Sequence, residues 1–221
     1  MTNMPDTLNP TSLATNLQRD YILLDGSGSM QSKWWETLAA IDAYMAGVKA
    51  ANIKSKAILH TFDSDDKDCI QRDLPLEDWK PLLQDPVGAY WTSTPLFDAI
   101  RLMGMRMKDL DPPRASIVIV TDGEENCSQF TTLAEAKAVL DWCRAKGWQV
   151  TFIGAEFNNW SQARALGANE ATSIGVQQKM LSDATTALAK KRAAYGIYGT
   201  PMHYSDAEKQ QFGGYLNPPK S

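Results

Sequence analysis

Short apolar runs alternate with longer amphipathic stretches along most of the chain. Each run is bounded by polar or turn-forming residues, which is the pattern of a buried β-strand. The clearest runs are 21–24, 57–62, 117–120 and 150–153. The stretches between and after them repeat apolar residues every three or four positions, which predicts helices with one buried face. The predicted helices cover 34–48, 96–110, 133–143, 158–166 and 177–195.

The alternation of strand and helix predicts the fold class. Strands that are apolar along their whole length fit a parallel sheet covered on both faces better than a half-exposed antiparallel sheet. We therefore expect an α/β fold with a doubly wound, mainly parallel sheet flanked by helices on both faces. Two weaker runs, at 69–76 and 171–174, predict short additional strands.

Composition divides the chain into three parts. Residues 1–19 form a polar N-terminal segment, and residues 20–195 carry the alternating pattern and are expected to form one domain. Residues 196–221 are richer in Gly, Pro and Tyr and predict an irregular C-terminal tail. The tail is rich in aromatic side chains, and free exposure of so many rings favours aggregation. We therefore expect the tail to pack back on the domain rather than to anchor another chain.

Charge and length narrow the classes of function. The 221 residues include 26 acidic and 22 basic side chains, a formal net charge of −4, which argues against general nucleic-acid binding. No apolar run approaches the roughly 20 residues of a membrane span. The start of the chain lacks the pattern of a secretory signal, and the three cysteines lack the spacing of a zinc cluster. We expect reduced thiols in a cytoplasmic protein.

Three polar segments lie at the ends of predicted elements. Segments 25–30 and 121–126 each follow a predicted strand, and segment 91–96 precedes a predicted helix. In open α/β sheets the ligand crevice lies beyond the carboxyl ends of the strands. No Lys or Arg lies within these segments, and an oxygen-only set predicts Mg²⁺ or Mn²⁺, and less readily Ca²⁺, rather than zinc. The candidate metal ligands are two carboxylates and three hydroxyls: Asp25, Ser27, Ser29, Thr94 and Asp122.

Each segment also has a purely structural explanation. Asp-Gly and Ser-Gly are common turn pairs. Ser29 fits the N-cap of the following helix, and Thr94 before Pro95 has the pattern of an N-cap followed by the first helical residue. The metal hypothesis therefore depends on the five residues as a set.

The set resembles the metal-ion-dependent adhesion site of von Willebrand factor A domains. The strings Asp-Gly-Ser-Gly-Ser-Met from 25 to 30 and Thr-Asp-Gly-Glu-Glu-Asn from 121 to 126 match its motifs closely, with Thr94 between them. The resemblance covers residues 20–195 and implies one short antiparallel edge strand at 69–76. It also implies that Ser27 and Ser29 bind the metal through their hydroxyls. Asp25 and Asp122 would act directly or through a water molecule, and Thr94 would alternate between the two modes.

The two carboxylates of the site only just balance the charge of a divalent cation. A bound cation therefore still attracts an acidic side chain from another protein. We therefore expect a non-enzymatic, metal-dependent protein–protein interaction module that binds an acidic residue of a partner. The resemblance implies partners such as an AAA+ ATPase of the MoxR type or an assembly machinery, with neither nucleic acid nor membrane involved.

Two other functions stay open. One is a structural or assembly subunit of a phage or another macromolecular complex, with the same fold. The other is a Mg²⁺-dependent phosphoryl-transfer enzyme. Ser27 occupies the second acidic position of the haloacid-dehalogenase Asp-x-Asp pattern, and residues 26–33 do not form a Walker loop.

A few further residues near these segments allow two interpretations. His60 lies within a predicted strand and is expected to be packed rather than to bind a ligand. Glu124 and Glu125 either favour the start of the following helix through its dipole or make the metal rim acidic and so select a partner. Trp35 and Trp91 either join the core or are exposed beside the crevice, where exposed aromatic rings would suit an interface.

Overall fold

The computed structural model describes residues 17–122, 125–155, 160–168 and 171–212. Its centre is a six-stranded sheet with the order β3-β2-β1-β4-β5-β6. The strands are β1 (Gln18–Asp25), β2 (Ser55–Phe62), β3 (Cys69–Pro75), β4 (Ala115–Val120), β5 (Gln149–Ala155) and β6 (Ile174–Val176). All neighbours pair in parallel except β2 and β3, which are antiparallel. The predicted fold class and the antiparallel edge strand are therefore confirmed.

Helices cover both faces of this sheet. They are α1 (Trp34–Ala50), α2 (Leu96–Leu110), α3 (Leu133–Ala145), α4 (Trp160–Ala165), α5 (Leu181–Tyr198) and α6 (Asp206–Phe212). Successive side chains of a strand point to opposite faces, so Ile22 and Leu24 pack with α1 and α5, whereas Tyr21 and Leu23 pack with α2 and α3. Two apolar layers, one on each face, hold the sheet between the helices.

The C-terminal part packs on the domain as expected. Met202, Tyr204 and Phe212 are all buried against the layer that contains α1 and α5. The helix α6 lies within the segment predicted to be irregular; Ser205 and Glu208 cap its start through reciprocal hydrogen bonds. Tyr215 and Leu216, which contributed to the same prediction, lie outside the described residues.

Some element boundaries differ from the prediction. The strand β1 begins at Gln18 rather than Tyr21, and β6 lies two to three residues later than the run at 171–174. The helix α5 continues to Tyr198 because the left-handed residue that ends it is Gly199, with a φ of 77°. Of the helix predicted at 158–166, the structure describes α4, and residues 156–159 lie outside the described part.

A buried polar cluster lies at the amino end of β1, and we call it the amino-end cluster. Its members are Gln18, Asp20, Tyr44, Ser55, Ser116 and Arg192. The Arg192 guanidinium, in α5, donates to Asp20 Oδ1 at 2.7 Å and Oδ2 at 3.1 Å, and to Gln18 Oε1 at 2.9 Å. The cluster therefore joins α5 to the central strand by charge-assisted hydrogen bonds.

The opposite end of β1 positions the candidate site. The chain leaves β1 for α1 and β2 on one side and leaves β4 for α3 and β5 on the other, so the strand order reverses between β1 and β4. The segments after these two strands therefore emerge side by side at the topological switch point, where ligands bind in open α/β sheets. In the described part of the chain, no helix is both long and apolar enough to cross a membrane.

Candidate functional site

Asp25 is the last residue of β1, and its side chain is fully buried. The Ser27 backbone N–H donates to Oδ1 at 2.8 Å, and the Thr121 hydroxyl donates to Oδ2 at 2.6 Å. Burial raises the pKa of Asp25 to about 6, although hydrogen bonds from Thr121 and Ser27 favour the charged form. Among the described residues no Lys or Arg forms an ion pair with this carboxylate.

Ser27, Ser29 and Asp122 form a chain of hydrogen bonds across the gap between the two strands. The Ser27 and Ser29 hydroxyl oxygens are 3.2 Å apart, and the Ser29 hydroxyl donates to Asp122 Oδ1 at 2.7 Å. Ser29 lies in a 3₁₀ helix (Gly28–Lys33) rather than at an N-cap, and α1 begins later, at Trp34. The structural explanation of Ser29 as a helix cap is therefore wrong.

Lys33 changes the charge of the predicted site. Its ammonium lies 2.5 Å from Asp122 Oδ2, and the Asp122 side chain is only 2% exposed. The prediction of an oxygen-only site rested on the absence of Lys and Arg from the three segments, and Lys33 lies three residues beyond the first of them. The last residue of the 3₁₀ helix thus places its own positively charged side chain at the edge of the sheet, beside Asp122.

Thr94 is held beside the loop that follows β4. Its backbone N–H donates to Asn126 Oδ1 at 2.9 Å, and the Asn126 N–H donates to the Thr94 carbonyl at 3.2 Å. The helix α2 begins at Leu96 with Pro95 as its N-cap and with no side-chain cap, so Thr94 does not cap it. Thr94 is 2% exposed. Its partner Asn126 follows Asp122 by four residues in sequence, so the two hydrogen bonds bring Thr94 to the loop that begins at Asp122.

The segment before Thr94 packs closely on the first motif. The Gly28 N–H donates to the Thr92 carbonyl at 2.8 Å, and the Trp91 N–H donates to the Gly26 carbonyl at 3.1 Å. A Cβ at Gly28 would lie 3.2 Å from the Trp91 carbonyl oxygen, so glycine permits this approach. Trp91 has a φ of 61°, a conformation that is strained for a tryptophan. The three predicted segments are therefore joined at one edge.

Two carboxylates that sequence reasoning did not assign as ligands shape the loop after Asp122. Glu125 accepts from the N–H groups of Phe97, Cys127 and Ser128. It therefore points inward and caps α2, a helix that precedes it in sequence, and not the following helix α3, whose start Thr132 and Glu135 cap. Glu124, the other residue of that prediction, lies outside the described residues.

Asp98, in the first turn of α2, fixes the same loop further along. Its carboxylate accepts from the N–H groups of Gln129 and Phe130 at 2.9 and 3.0 Å, and Lys67 lies 3.4 Å away. Burial opposes the charged form, but these hydrogen bonds lower the pKa of Asp98 below its ordinary value. Asp98 was not singled out from the sequence, because it lies off the apolar stripe formed by Leu96, Ile100 and Met103.

Of the remaining candidates, His60 and Trp91 are packed within the fold, whereas Trp35 is exposed. His60 is fully buried; its Nδ1 lies 2.7 Å from the Tyr21 hydroxyl and its Nε2 lies 2.9 Å from the Lys67 carbonyl. Trp35 is 58% exposed, as one interpretation expected. Trp91 is half-buried, and its ring lies edge-on to that of Trp34, with 4.9 Å between ring centroids.

The donor set fits a hard divalent cation. Within the described ranges no three His, Cys, Asp or Glu side chains form a group that could hold a metal, so a cation here would depend on hydroxyl ligands as well. All five candidates offer oxygen, which Mg²⁺ and Mn²⁺ prefer. A buried carboxylate with a raised pKa and only neutral donors, as at Asp25, gains from a cation nearby.

Comparison with known proteins supports the fold. No family model and no curated protein matches the sequence. The structure superposes on a von Willebrand factor type A protein from Catenulispora acidiphila with a TM-score of 0.60 and 14% identity, covering 81% of this chain and 43% of that one. It also matches the vWF domain of the type V pili tip protein Mfa5 from Porphyromonas gingivalis (TM-score 0.59, 11% identity, 83% and 97% covered).

A third match is the manganese-loaded TRAP protein of Plasmodium vivax, with a TM-score of 0.50, 14% identity, and 76% and 71% of the two chains covered. The chain spans less than half of the Catenulispora protein and nearly all of the Mfa5 domain. At these identities the likeness concerns the fold alone. The chain has the von Willebrand factor type A fold.

Proposed function

We propose that this chain is a non-enzymatic, metal-dependent protein-binding module. Its ligands for a divalent cation, Mg²⁺ or Mn²⁺, are Asp25, Ser27, Ser29, Thr94 and Asp122, and we call these five residues the carboxyl-end cluster. A partner protein supplies an acidic side chain to the same site. When bound, the cation supplies positive charge that attracts the partner's carboxylate.

One observation carries this proposal. The hydroxyls of Ser27 and Ser29 and the carboxylate of Asp122 form a continuous hydrogen-bonded chain, although Ser29 and Asp122 are 93 residues apart in sequence. The chain of oxygens lies beside the Asp25 carboxylate, which is held by neutral donors from Ser27 and Thr121. Such a set places two carboxylates and two hydroxyls together before any ligand binds.

Rigid surroundings support the proposal. Glu125 and Asp98 hold the chain at 127–130 by accepting from its backbone N–H groups, and the loop that carries Thr94 is tied to Gly28 and Asn126. Ligands held in this way lose little conformational freedom on binding, so more of the interaction energy is available for affinity. The manganese-loaded TRAP protein and the Mfa5 pili tip domain, which share this fold, are consistent with such a role.

We further propose that the chain has no hydrolase activity of its own. His60, a possible general base, is buried, and both of its ring nitrogens are already within hydrogen-bond distance of Tyr21 and Lys67. Burial also lowers the pKa of His60. Turnover of phosphate esters by the pure protein that is lost in Asp25→Ala would favour the phosphoryl-transfer alternative.

The partner class follows from the site and from the resemblance. We propose an acidic surface of another protein, such as an AAA+ ATPase of the MoxR type or a component of an assembly machinery. Cys69, Cys127 and Cys143 are all free thiols, which supports a reducing, cytoplasmic location for the interaction.

The test is calorimetric titration of Mg²⁺ and Mn²⁺ into wild type, Asp25→Ala and Asp109→Ala. Asp109 is an exposed carboxylate in α2, remote from the switch point, and is the matched control. We expect one site in wild type and in Asp109→Ala, and no binding in Asp25→Ala. Equal affinity in all three proteins would contradict the proposed site.

A further inference from the structure

Lys33 is the one basic side chain in the described part of the chain that forms an ion pair with a member of the carboxyl-end cluster. Its side chain is only 16% exposed, which is low for a lysine, and its ammonium lies against a carboxylate that is almost completely shielded from water. Shielding strengthens such a pair relative to one in bulk solvent. The contact is therefore a specific part of the site rather than a solvated surface pair.

Both carboxylate oxygens of Asp122 have partners within the protein. Oδ1 accepts from the Ser29 hydroxyl at 2.7 Å, and Oδ2 faces the Lys33 ammonium at 2.5 Å. A serine hydroxyl can rotate its hydrogen away and offer a lone pair to a cation. An ammonium has three donors and no lone pair, so it can only compete with a cation or repel it.

We propose that Lys33 competes with the divalent cation for the Asp122 carboxylate. By neutralising Asp122, Lys33 sets the affinity of the carboxyl-end cluster for the cation. This inference rests on the proposed function. Binding of the cation and the Lys33–Asp122 contact oppose each other, because two positive groups at one carboxylate repel. Each event therefore weakens the other by the same factor, as linkage requires.

The sequence offers the released ammonium another partner. Lys33 is the N-cap residue of α1, and Glu36 lies three positions later in its first turn, with an exposed side chain. Side chains three residues apart at a helix surface can form ion pairs. Lys33 thus has one ion-pair partner in the structure, Asp122, and we expect the released ammonium to turn toward Glu36, the acidic residue nearest to it in sequence, when a cation binds.

The experiment is calorimetric titration of Mn²⁺ into the full chain at fixed pH and ionic strength. The variants are Lys33→Met, which keeps the length of the side chain without its charge, and Lys33→Arg, which keeps the charge. The matched control is Lys191→Met, because Lys191 is 18% exposed and pairs with Glu208 at 2.8 Å, remote from the site. We expect Lys33→Met to bind at least about fivefold tighter than wild type, and both other variants to bind like wild type.

A second measurement reports the contact itself. In EDTA, Lys33→Met should melt at a lower temperature than wild type, because Asp122 loses its counter-charge. Saturating Mn²⁺ should abolish that difference.

The outcomes separate this inference from the proposed function. If wild type binds Mn²⁺ and Lys33→Met binds it equally or more weakly, the inference is overturned and the proposed function stands. If neither wild type nor Lys33→Met binds Mn²⁺, the proposed function fails, and this inference fails with it. If only Lys33→Met binds, Lys33 competes strongly enough to mask the site, and both are supported.

Discussion

The strand β1 carries a buried aspartate near each end, and only one of the two carboxylates has a positively charged partner. Asp20, near the amino end, pairs with the guanidinium of Arg192 through two hydrogen bonds. Asp25, at the carboxyl end, receives only neutral donors from Ser27 and Thr121. Both side chains are fully buried, so the difference does not come from solvent.

The two ends of β1 therefore differ in how their charges are satisfied, and only the carboxyl end is proposed to bind a cation. Although burial lowers the pKa of Arg192, the attraction of Asp20 outweighs it and the pKa is raised, so the cation stays charged. The amino-end cluster is therefore satisfied within the protein. Burial raises the pKa of Asp25 to about 6, because the charged carboxylate is unfavourable at this buried position without a cation. An uncompensated carboxylate at a switch point is the group that gains most from an external cation.

The largest expected effect breaks the amino-end cluster. Arg192→Met leaves the Asp20 carboxylate buried without its cation, and breaking a buried pair in this way costs about 3–5 kcal/mol. We expect the free energy of unfolding, measured in urea, to fall by that amount. Lys191→Met, next in sequence and partly exposed, should lose at most about 1 kcal/mol. A loss below about 1 kcal/mol in Arg192→Met would show that the pair is not needed to hold Asp20.

The next effect concerns pH at the other end of β1. The folded-state pKa of Asp25, about 6, lies above the ordinary value of 3.8 for an aspartate. The folded state therefore binds more protons than the unfolded state between pH 4 and pH 6, and stability falls as pH rises through this window. The total loss is on the order of 2–3 kcal/mol, because one pKa unit corresponds to about 1.4 kcal/mol.

Asp25→Asn tests this effect, because it carries no titrating group. In EDTA, wild type should lose stability relative to Asp25→Asn from pH 4 to pH 6, and the difference should stay constant above that. Urea unfolding at a series of pH values measures it. Parallel profiles for the two proteins would mean that Asp25 does not titrate in this window.

A smaller effect sharpens the role of the neutral groups around Asp20. The Tyr44 hydroxyl lies 3.0 Å from both Asp20 Oδ1 and Ser116 Oγ in the buried core. Tyr44→Phe keeps the ring and removes the hydroxyl, so we expect a loss of about 1–2 kcal/mol in urea unfolding. An unchanged stability would indicate that Arg192 and Ser55 satisfy Asp20 without the Tyr44 hydroxyl.

The smallest effect on stability is expected at Ser29. Its side chain is exposed, so Ser29→Ala should change the free energy of unfolding by less than about 0.5 kcal/mol. The same substitution removes a proposed ligand, and we expect the Mn²⁺ affinity measured by calorimetry to fall at least about tenfold. A stable variant with unchanged affinity would remove Ser29 from the site.

The fold was predictable because its signals are local. The apolar strands and the amphipathic stripe of α2 follow from the spacing of side chains, and the order of the elements then limits the sheet to a few topologies. The end of α5 was placed too early because Gly196 precedes the residue that adopts the left-handed conformation, Gly199. The helix α6 was missed, although Ser205 and Glu208 have the spacing of a capping box.

The candidate site was predictable only in part, for a physical reason. The predicted residues lie at strand ends, which the topology brings together. Lys33 reaches Asp122 only because a 3₁₀ helix, with three residues per turn, follows Ser27, and no periodic pattern announces such a short element. Arg192 was missed because a charged residue on a helix is ordinarily exposed, and here its partner Asp20 is 172 residues away.

That separation of 172 residues between Asp20 and Arg192 has a consequence for biosynthesis. A ribosome that adds about 5–20 residues each second completes the interval in roughly 10–35 s. During that time β1, the strand to which β2 and β4 both pair, carries an aspartate whose counter-ion has not been made. The nascent chain therefore has to keep the amino end of β1 hydrated, and final closure of the domain waits for the last long helix to leave the ribosome.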